Sequence, residues 1–468
     1  MLVWVSHSQR PLSIGELCLA LAAEMGSTDL DPENVCLQDT ILASSLGLVA
    51  VDKTSRVRLI HSTLQEYLCL PGVLPDAHKT PGEPCLAYLN YDQVRELPAT
   101  EVPGLHDMPF LHYSSLYWGF HAKQGLSDGA KSLAVRLLSL YENHISSALL
   151  CAELNFEGYR SLAGPPFTGL HCASYLGIVC VVEDLGKMKG CDINEIDCWG
   201  FTQLSWAAQR GNKEVARLLL TRDDVEPERS DNQGQTPLSI ASFLGHESVV
   251  RLLLARGDVD PNKSDVHGET PLSRACYGGS ERVVRLLLAR GDVDPNRSDV
   301  HGETPLSHAC YAGSERVVRL LLARDDVDPN KSDVNGGTPF SHACHGGREG
   351  MVRLLLARGN VKPDKPESNG RTPLLLPAER GDEGVVRLLL ARDDVDPNGQ
   401  DREGVTPLWR ASFDGHEGVA RLLLARGDVN PSTSDNWGRA PLWATYVKNH
   451  KEIRALLRAR ITTTGILD

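Results

Sequence analysis

The chain has 468 residues and a formal net charge of −13 at pH 7, from 48 Lys and Arg against 61 Asp and Glu. That acidic balance argues against nucleic acid and acidic membranes as primary partners, and no stretch reaches the ~18–20 apolar residues that span a bilayer. The opening Met-Leu-Val-Trp-Val-Ser-His lacks the basic and apolar regions of a signal peptide and the twelve cysteines form no Cys-x-x-Cys pair, so small buried thiols in a reducing, cytoplasmic setting are expected, with the nucleus also open.

Ser13-Ile14-Gly15-Glu16, continuing through Leu17 to Ala22, predicts a capped helix with a wide apolar stripe. A second helix is expected over about 35–45. Residues 46–51 and 57–61 read as two strands joined by a turn over 52–56. Ser62-Thr63-Leu64-Gln65 is a capping-box sequence that opens another helix. Helix, helix, hairpin, helix within 1–70 predicts a winged-helix-like module. A Pro/Gly-rich stretch over 71–84 separates it from further helices around 85–97, 108–123 and 129–143, a helical linker region over 71–160.

Trp4-Val5-Ser6-His7-Ser8-Gln9-Arg10-Pro11-Leu12, Val57-Arg58-Leu59-Ile60-His61 and Leu64-Gln65-Glu66-Tyr67-Leu68 resemble a module of fungal NACHT-ankyrin proteins. These are signal-transducing NTPases (STAND) of the NOD-like receptor type. Phe110-Leu111-His112-Tyr113 and Leu116-Tyr117-Trp118 fit the helical segment that follows the module there. The module takes its name from GPI inositol deacylase but is not the lipase, and the resemblance implies a place just after a nucleotide-binding domain. No G-x-x-x-x-G-K-[ST] occurs in the chain, so a phosphate cradle and its lysine are missing. The implied reading is a receptor arm without its NTPase, or the sensor part of a longer NACHT receptor. A winged helix also raises DNA binding. Its recognition helix would span residues 34–46, which hold no Lys or Arg and carry Asp39, whereas base and phosphate contacts draw mainly on Arg and Lys.

From residue 161 onward the chain is periodic. Thr168, Thr202, Thr236, Thr270, Thr304, Thr338, Thr372 and Thr406 stand 34 residues apart, with Ala440 ninth in the series. A fixed period of this length means one supersecondary unit, copied and stacked so that each copy buries its apolar face on its neighbours. In the copy over 258–291, Thr270-Pro271 is a helix start, with Pro where its missing N–H costs nothing. Gly279 ends that short helix. A second helix carries Val283, Val284, Leu286, Leu287 and Leu288, too wide an apolar arc to be exposed. The residue two before the threonine is Gly in every copy after the first, which fits a tight turn at a hairpin tip.

Thr270-Pro271-Leu272-Ser273-Arg274-Ala275 and Thr168-Gly169-Leu170-His171-Cys172-Ala173 resemble the ankyrin hallmark T-P-L-H-x-A. The resemblance covers residues 165 to about 460. It implies two antiparallel helices per unit, loops to one side and a concave face that binds proteins. The expected fold is thus mainly α: an ankyrin-repeat solenoid of about nine 34-residue repeats over 161–468, preceded by the winged-helix-like module and the helical linker. Pro377 replaces the buried Ala and is expected to break the first helix of its copy, at roughly 3 kcal/mol. Ala440 and Asn449 mark an atypical last copy, as a terminal unit facing water requires.

No catalytic, cofactor or metal site is expected. Neither G-x-S-x-G nor H-E-x-x-H occurs. Asp258, Asp260, Asn262, Ser264, Val266 and Glu269 follow an EF-hand-like spacing, but Lys263 sits where the sharp-turn Gly belongs and Pro261 stiffens the loop. His342, Cys344 and His345, with His308 one repeat earlier, are not expected to bind metal: side chains spaced by one to three on a short helix point different ways and no second ligand pair lies at zinc spacing, so they read as repeat-derived surface histidines. Partner binding is expected on the variable positions. Seven residues after the threonine these are Phe243, Tyr277, Tyr311, His345 and Phe413; three before it they are Trp199, His267, His301 and Trp437. Aromatic anchors on a rigid surface are common hot spots. The expected function is a non-enzymatic recognition arm for a protein partner, with no nucleic acid, membrane or small-molecule substrate.

Overall fold

Ser13 and Glu16 cap each other as expected: Glu16 N donates to Ser13 Oγ at 3.1 Å and Ser13 N to Glu16 Oε2 at 2.6 Å. Their helix, Ile14–Ala22, is one of 27 α-helices in a computed structural model that describes residues 1–71, 73–74, 79–98, 108–123, 125–153 and 166–464. Parts of the expected linker, at 72, 75–78, 99–107, 124 and 154–160, lie outside the described residues. The chain divides into two units, residues 1–232 and 233–468.

In the first unit the expected order holds with shifted bounds. The second helix is Gln38–Ser44, preceded by a 3-10 turn over Pro32–Asn34. Val49–Val51 and Val57–Leu59 pair antiparallel, Ala50 opposite Arg58. The next helix, Ser62–Leu68, is capped by His61, whose Nδ1 accepts from Thr63 N at 3.2 Å, and not by Ser62. Lys79–Leu89 is helical, so the C-terminal half of the Pro/Gly-rich stretch is not a spacer.

Helices Pro109–Ala122, Asp128–Leu138 and Ile145–Glu153 complete the linker region. A short helix, Leu2–His7, precedes everything; it seats Trp4 edge-on to Phe110 (5.7 Å) and Tyr113 (6.0 Å). Winged-helix module and linker thus share one aromatic core. Two repeats close this unit, with helices Gly169–Leu176, Val179–Gly186, Gln203–Arg210 and Lys213–Leu220.

The second unit holds the repeats of Thr236 to Ala440. In the best-formed copy, helices Pro271–Tyr277 and Glu281–Leu288 lie either side of a Gly279 with φ 70°. Thr270 Oγ1 accepts from Ser273 N at 3.1 Å. Val283, Val284 and Leu287 are fully buried, while Leu286 and Leu288 are only half-buried. Cys276, Cys310 and Cys344 are fully buried beside the core Ala.

Polar groups fix the register between copies. Asn262 Nδ2 donates to Asp292 O at 2.5 Å, and its Oδ1 accepts from Asp294 N at 3.1 Å. Asn296, Asn330 and Asn398 repeat the same two-way bridge. Arg290 pairs with Asp292 and donates to Leu254 O at 2.9 Å, and Arg324 pairs with Asp326 and donates to Leu288 O at 2.7 Å. Each asparagine ties the loop of one copy to the backbone of the next, and each arginine ties back to the copy before.

The copy of Thr372 departs from this. Its first helix is only Leu375–Arg380, so Pro377 stands in the first turn, where an N–H has no intrahelical partner. The expected interior break is therefore absent. The cost moves to the cap: Leu375 N donates to Thr372 O, and buried Thr372 Oγ1 has no partner. Asp364 takes the place of the bridging Asn. Burial pushes its carboxyl upward, and its Oδ1 has no hydrogen-bond partner.

Two stability effects follow from this copy. Asp364→Asn restores the missing donor toward the next copy, and we expect a gain of about 1–3 kcal/mol in urea unfolding. Pro377→Ala, by re-forming the cap, should add about 1 kcal/mol, whereas Leu287→Ala should cost ~2–5 kcal/mol as a core cavity. Asp364→Asn unfolding at the same urea concentration as the parent would refute the bridge argument.

The first unit has an acid-sensitive element. Burial holds His144 and His171 down at about 4, against about 6.5 for an unfolded histidine. The folded state then binds fewer protons, so its stability is complete above about 6.5 and is lost as pH falls toward 4. Between about pH 7 and pH 5 each histidine should remove on the order of 2 kcal/mol. His171→Gln should flatten the pH dependence of melting over that window, and an unchanged slope would contradict the assignment.

Candidate protein-interaction surface

The hairpin tips of the second unit are joined backbone to backbone. Val300 N donates to His267 O at 2.9 Å and Val334 N to His301 O at 2.8 Å. The tips approach so closely that a Cβ on Gly268, at φ 79°, would lie 3.0 Å from Val300 N, which only glycine avoids. Asp265 and Asp299 hold each turn with one oxygen: Asp265 Oδ1 accepts from His267 N (3.0 Å) and Glu269 N (2.9 Å). The backbone of His267 and His301 is therefore fixed while their side chains are exposed.

Above the tips, the positions seven residues after each threonine stack. The Phe243 ring lies 6.1 Å from Tyr277 at 21°, and Tyr277 lies 6.2 Å from Tyr311 at 12°. The Arg274 guanidinium also lies over the Phe243 ring, at 4.5 Å. Tyr277 is 44% and Tyr311 60% exposed. A three-ring ladder with that much face open to water has apolar area without a packing role. His345, next in the series, is exposed and lines a cleft of ≈ 460 Å³ together with His342, Asn335 and Arg402.

The remaining expected residues do not join this ladder. Phe413 stacks on Trp409 at 5.1 Å, under Lys448. Trp437, 62% exposed, lies 4.6 Å from the Arg439 guanidinium. Arg439 also reaches Trp443 (5.0 Å) and Trp409 (5.6 Å) and is held by Asp435 at 2.6 Å. This is a second aromatic group, in the last two copies. Exposed Trp443 and Tyr446 were not singled out from the sequence, although a tryptophan-rich end was visible there.

Trp199, in the first unit, is half-buried and packs edge-on to Trp206 (6.0 Å) and Phe167 (6.5 Å), so it serves a core. The histidines expected at the surface also differ. His308 is buried and His342 half-buried, each against carboxylates. Their nearest carboxylates, Asp299 and Asp333, belong to the same copy, while Glu269 and Glu303 reach them from the copy before, an approach that spacing within one copy does not reveal.

Residues 170–265, 257–333 and 325–401 match the family described as ankyrin repeats, and 403–436 match the single ankyrin repeat. Residues 1–76 match the winged helix domain of GPI inositol-deacylase. No curated protein matches. Among solved structures, the crystal structure of the human ASB11 ankyrin repeat domain is 27% identical with a TM-score of 0.43, covering 48% of this chain and 98% of that one. The ankyrin matches together take in more than half of the chain, with the winged-helix match ahead of them, and the chain belongs to the ankyrin-repeat proteins.

Proposed function

We propose that this chain is a non-enzymatic recognition arm that binds a protein partner on the hairpin tips and first helices of residues 233–468. The observation that carries the reading is the Phe243–Tyr277–Tyr311 ladder, exposed and set on a backbone fixed by tip-to-tip hydrogen bonds. Rigid aromatic side chains supply contact area at little entropic cost. Ankyrin repeats generally act as protein-binding scaffolds, which supports the same reading. Buried thiols at Cys276, Cys310 and Cys344 suit a reducing compartment, and we place the protein in the cytoplasm.

A second reading is the sensor part of a longer NACHT-type receptor. It is favoured by the apolar side chains that the N-terminal module leaves exposed: Leu37, Leu46, Ile60, Tyr67 and Leu70. Single exposed apolar residues are ordinary, but a set on one small module suits packing on a further domain. An in-frame P-loop upstream in the genomic sequence would support it.

The ladder is tested by Tyr277→Ala with Tyr311→Ala in the full chain. Because both rings are exposed, the pair should melt within a few degrees of the parent, a cost of about 1 kcal/mol. We expect loss of a partner that the parent captures. Early melting, or full retention of the partner, would contradict the ladder's role.

A further inference from the structure

In several copies the side chain four residues after the repeat threonine carries a polar group that faces a carboxylate, whereas Ile240, Leu376 and Ala444 fill the same position as core residues. Trp206 Nε1 donates to Asp197 Oδ2 at 2.7 Å. Arg274 pairs with Glu269 at 3.0 Å and reaches Gln235 Oε1 at 3.4 Å. At the next two copies this position is His308 and His342, and no fixed cation takes the arginine's place.

The His308 side chain is only 6% exposed. Its Nε2 lies 3.3 Å from Asp299 Oδ2 and 3.9 Å from Glu269 Oε1, yet forms no hydrogen bond. Asp299 is oriented from behind, with Oδ1 accepting from His301 N (2.9 Å) and Glu303 N (2.8 Å), so that Oδ2 points at the imidazole. Tyr277 stands edge-on to the ring at 6.1 Å, and Glu303 Oε2 faces Nδ1 at 3.6 Å.

One copy on, the arrangement recurs. His342 Nε2 lies 3.2 Å from Asp333 Oδ2 and 3.9 Å from Glu303 Oε1, again without a hydrogen bond. Asp333 Oδ1 accepts from Asn335 N and Gly337 N, both at 2.8 Å. In each group the three donor atoms lie within 4.8 Å of one another.

A tetrahedral ion with bonds of ~2.0–2.1 Å sets neighbouring donor atoms about 3.3 Å apart. The His–Asp separations already match that edge, and a small swing of each glutamate closes the third. One imidazole with two carboxylates suits first-row divalent metals. A carboxylate on the far imidazole nitrogen, as Glu303 provides for His308, is the usual support of a metal-binding histidine.

We propose that Glu269, Asp299 and His308, and one repeat later Glu303, Asp333 and His342, form two tandem sites for a divalent transition-metal ion such as zinc. Each ion would take the place that the guanidinium of Arg274 holds in the preceding copy, and Glu303 would link the two sites. A bound ion would tie the hairpin of one copy to the first helix of the next, directly beneath the tyrosine ladder.

The test is zinc titration of the chelator-treated full chain by calorimetry, with melting followed in parallel. The comparison variants are His308→Arg and His342→Arg, which copy the solution of the neighbouring repeat and leave every cysteine in place. We expect about two zinc ions per parent chain, about one for either variant and none for the double variant. A rise in melting temperature with zinc should vanish in the double variant. Equal stoichiometry in parent and double variant would overturn the proposal, since other residues would then hold the metal. So would a parent that binds no zinc. If the arginine variants lose helical circular dichroism, Glu269→Gln with Glu303→Gln replaces them. A tenfold or greater loss of zinc affinity supports the sites, and an unchanged affinity overturns them.

Discussion

The asparagine at the end of each Asp-Val-Asp-Pro-Asn loop is the contact on which the second unit depends. A single 34-residue copy cannot bury both of its helices, so its stability lies in the interface with its neighbours. Apolar packing of residues such as Val283, Val284 and Leu287 drives that stacking but is tolerant of small slips. The two hydrogen bonds of Asn262 to Asp292 O and Asp294 N are directional, and they are met at one register only. Arg290 adds a third polar tie, from the end of one second helix to the carbonyl of the one before.

That division of labour leaves the opposite side of each copy free to vary. Tip-to-tip bonds such as Val300 N to His267 O use backbone atoms alone, so the side chain at the tip is unconstrained by them. The ring positions on the first helices stand above the same fixed frame. Tyr277 and Tyr311 are displayed at a spacing set by the repeat, and their near-parallel stacking reflects the translation between copies. The same translation brings Glu269 against His308 and Glu303 against His342, each a carboxylate of one copy against the histidine of the next.

Features set by neighbouring residues were legible in the sequence. The Ser13–Glu16 box, the threonine caps and the glycine tips each depend on a few adjacent positions, and the structure shows them as read. Ser62 does not cap its helix because His61, just before it, takes the N-cap place and accepts from Thr63 N, which puts Ser62 inside the first turn. Pro377 was misjudged because the start of its helix shifted by two residues, a freedom that a pattern fixed on Thr372 does not express. What the sequence concealed lies between copies: the amide bridges of the asparagines, the burial of His308, and the separation of Phe413 and Trp437 from the tyrosine ladder. The asparagine bridges and the approach of Glu269 to His308 join residues about one period apart, and only stacking places them together.

The most direct measurement of this account is residue-level amide hydrogen exchange of the full chain. Asp294 N, Asp328 N and Asn430 N are loop amides whose acceptors are asparagine side chains of the preceding copy. If those bridges hold the copies in register, the three amides exchange as slowly as the buried helix Glu281–Leu288 and open with it. Exchange at the rate of exposed loop amides, while that helix stays protected, would show that apolar packing alone sets the array.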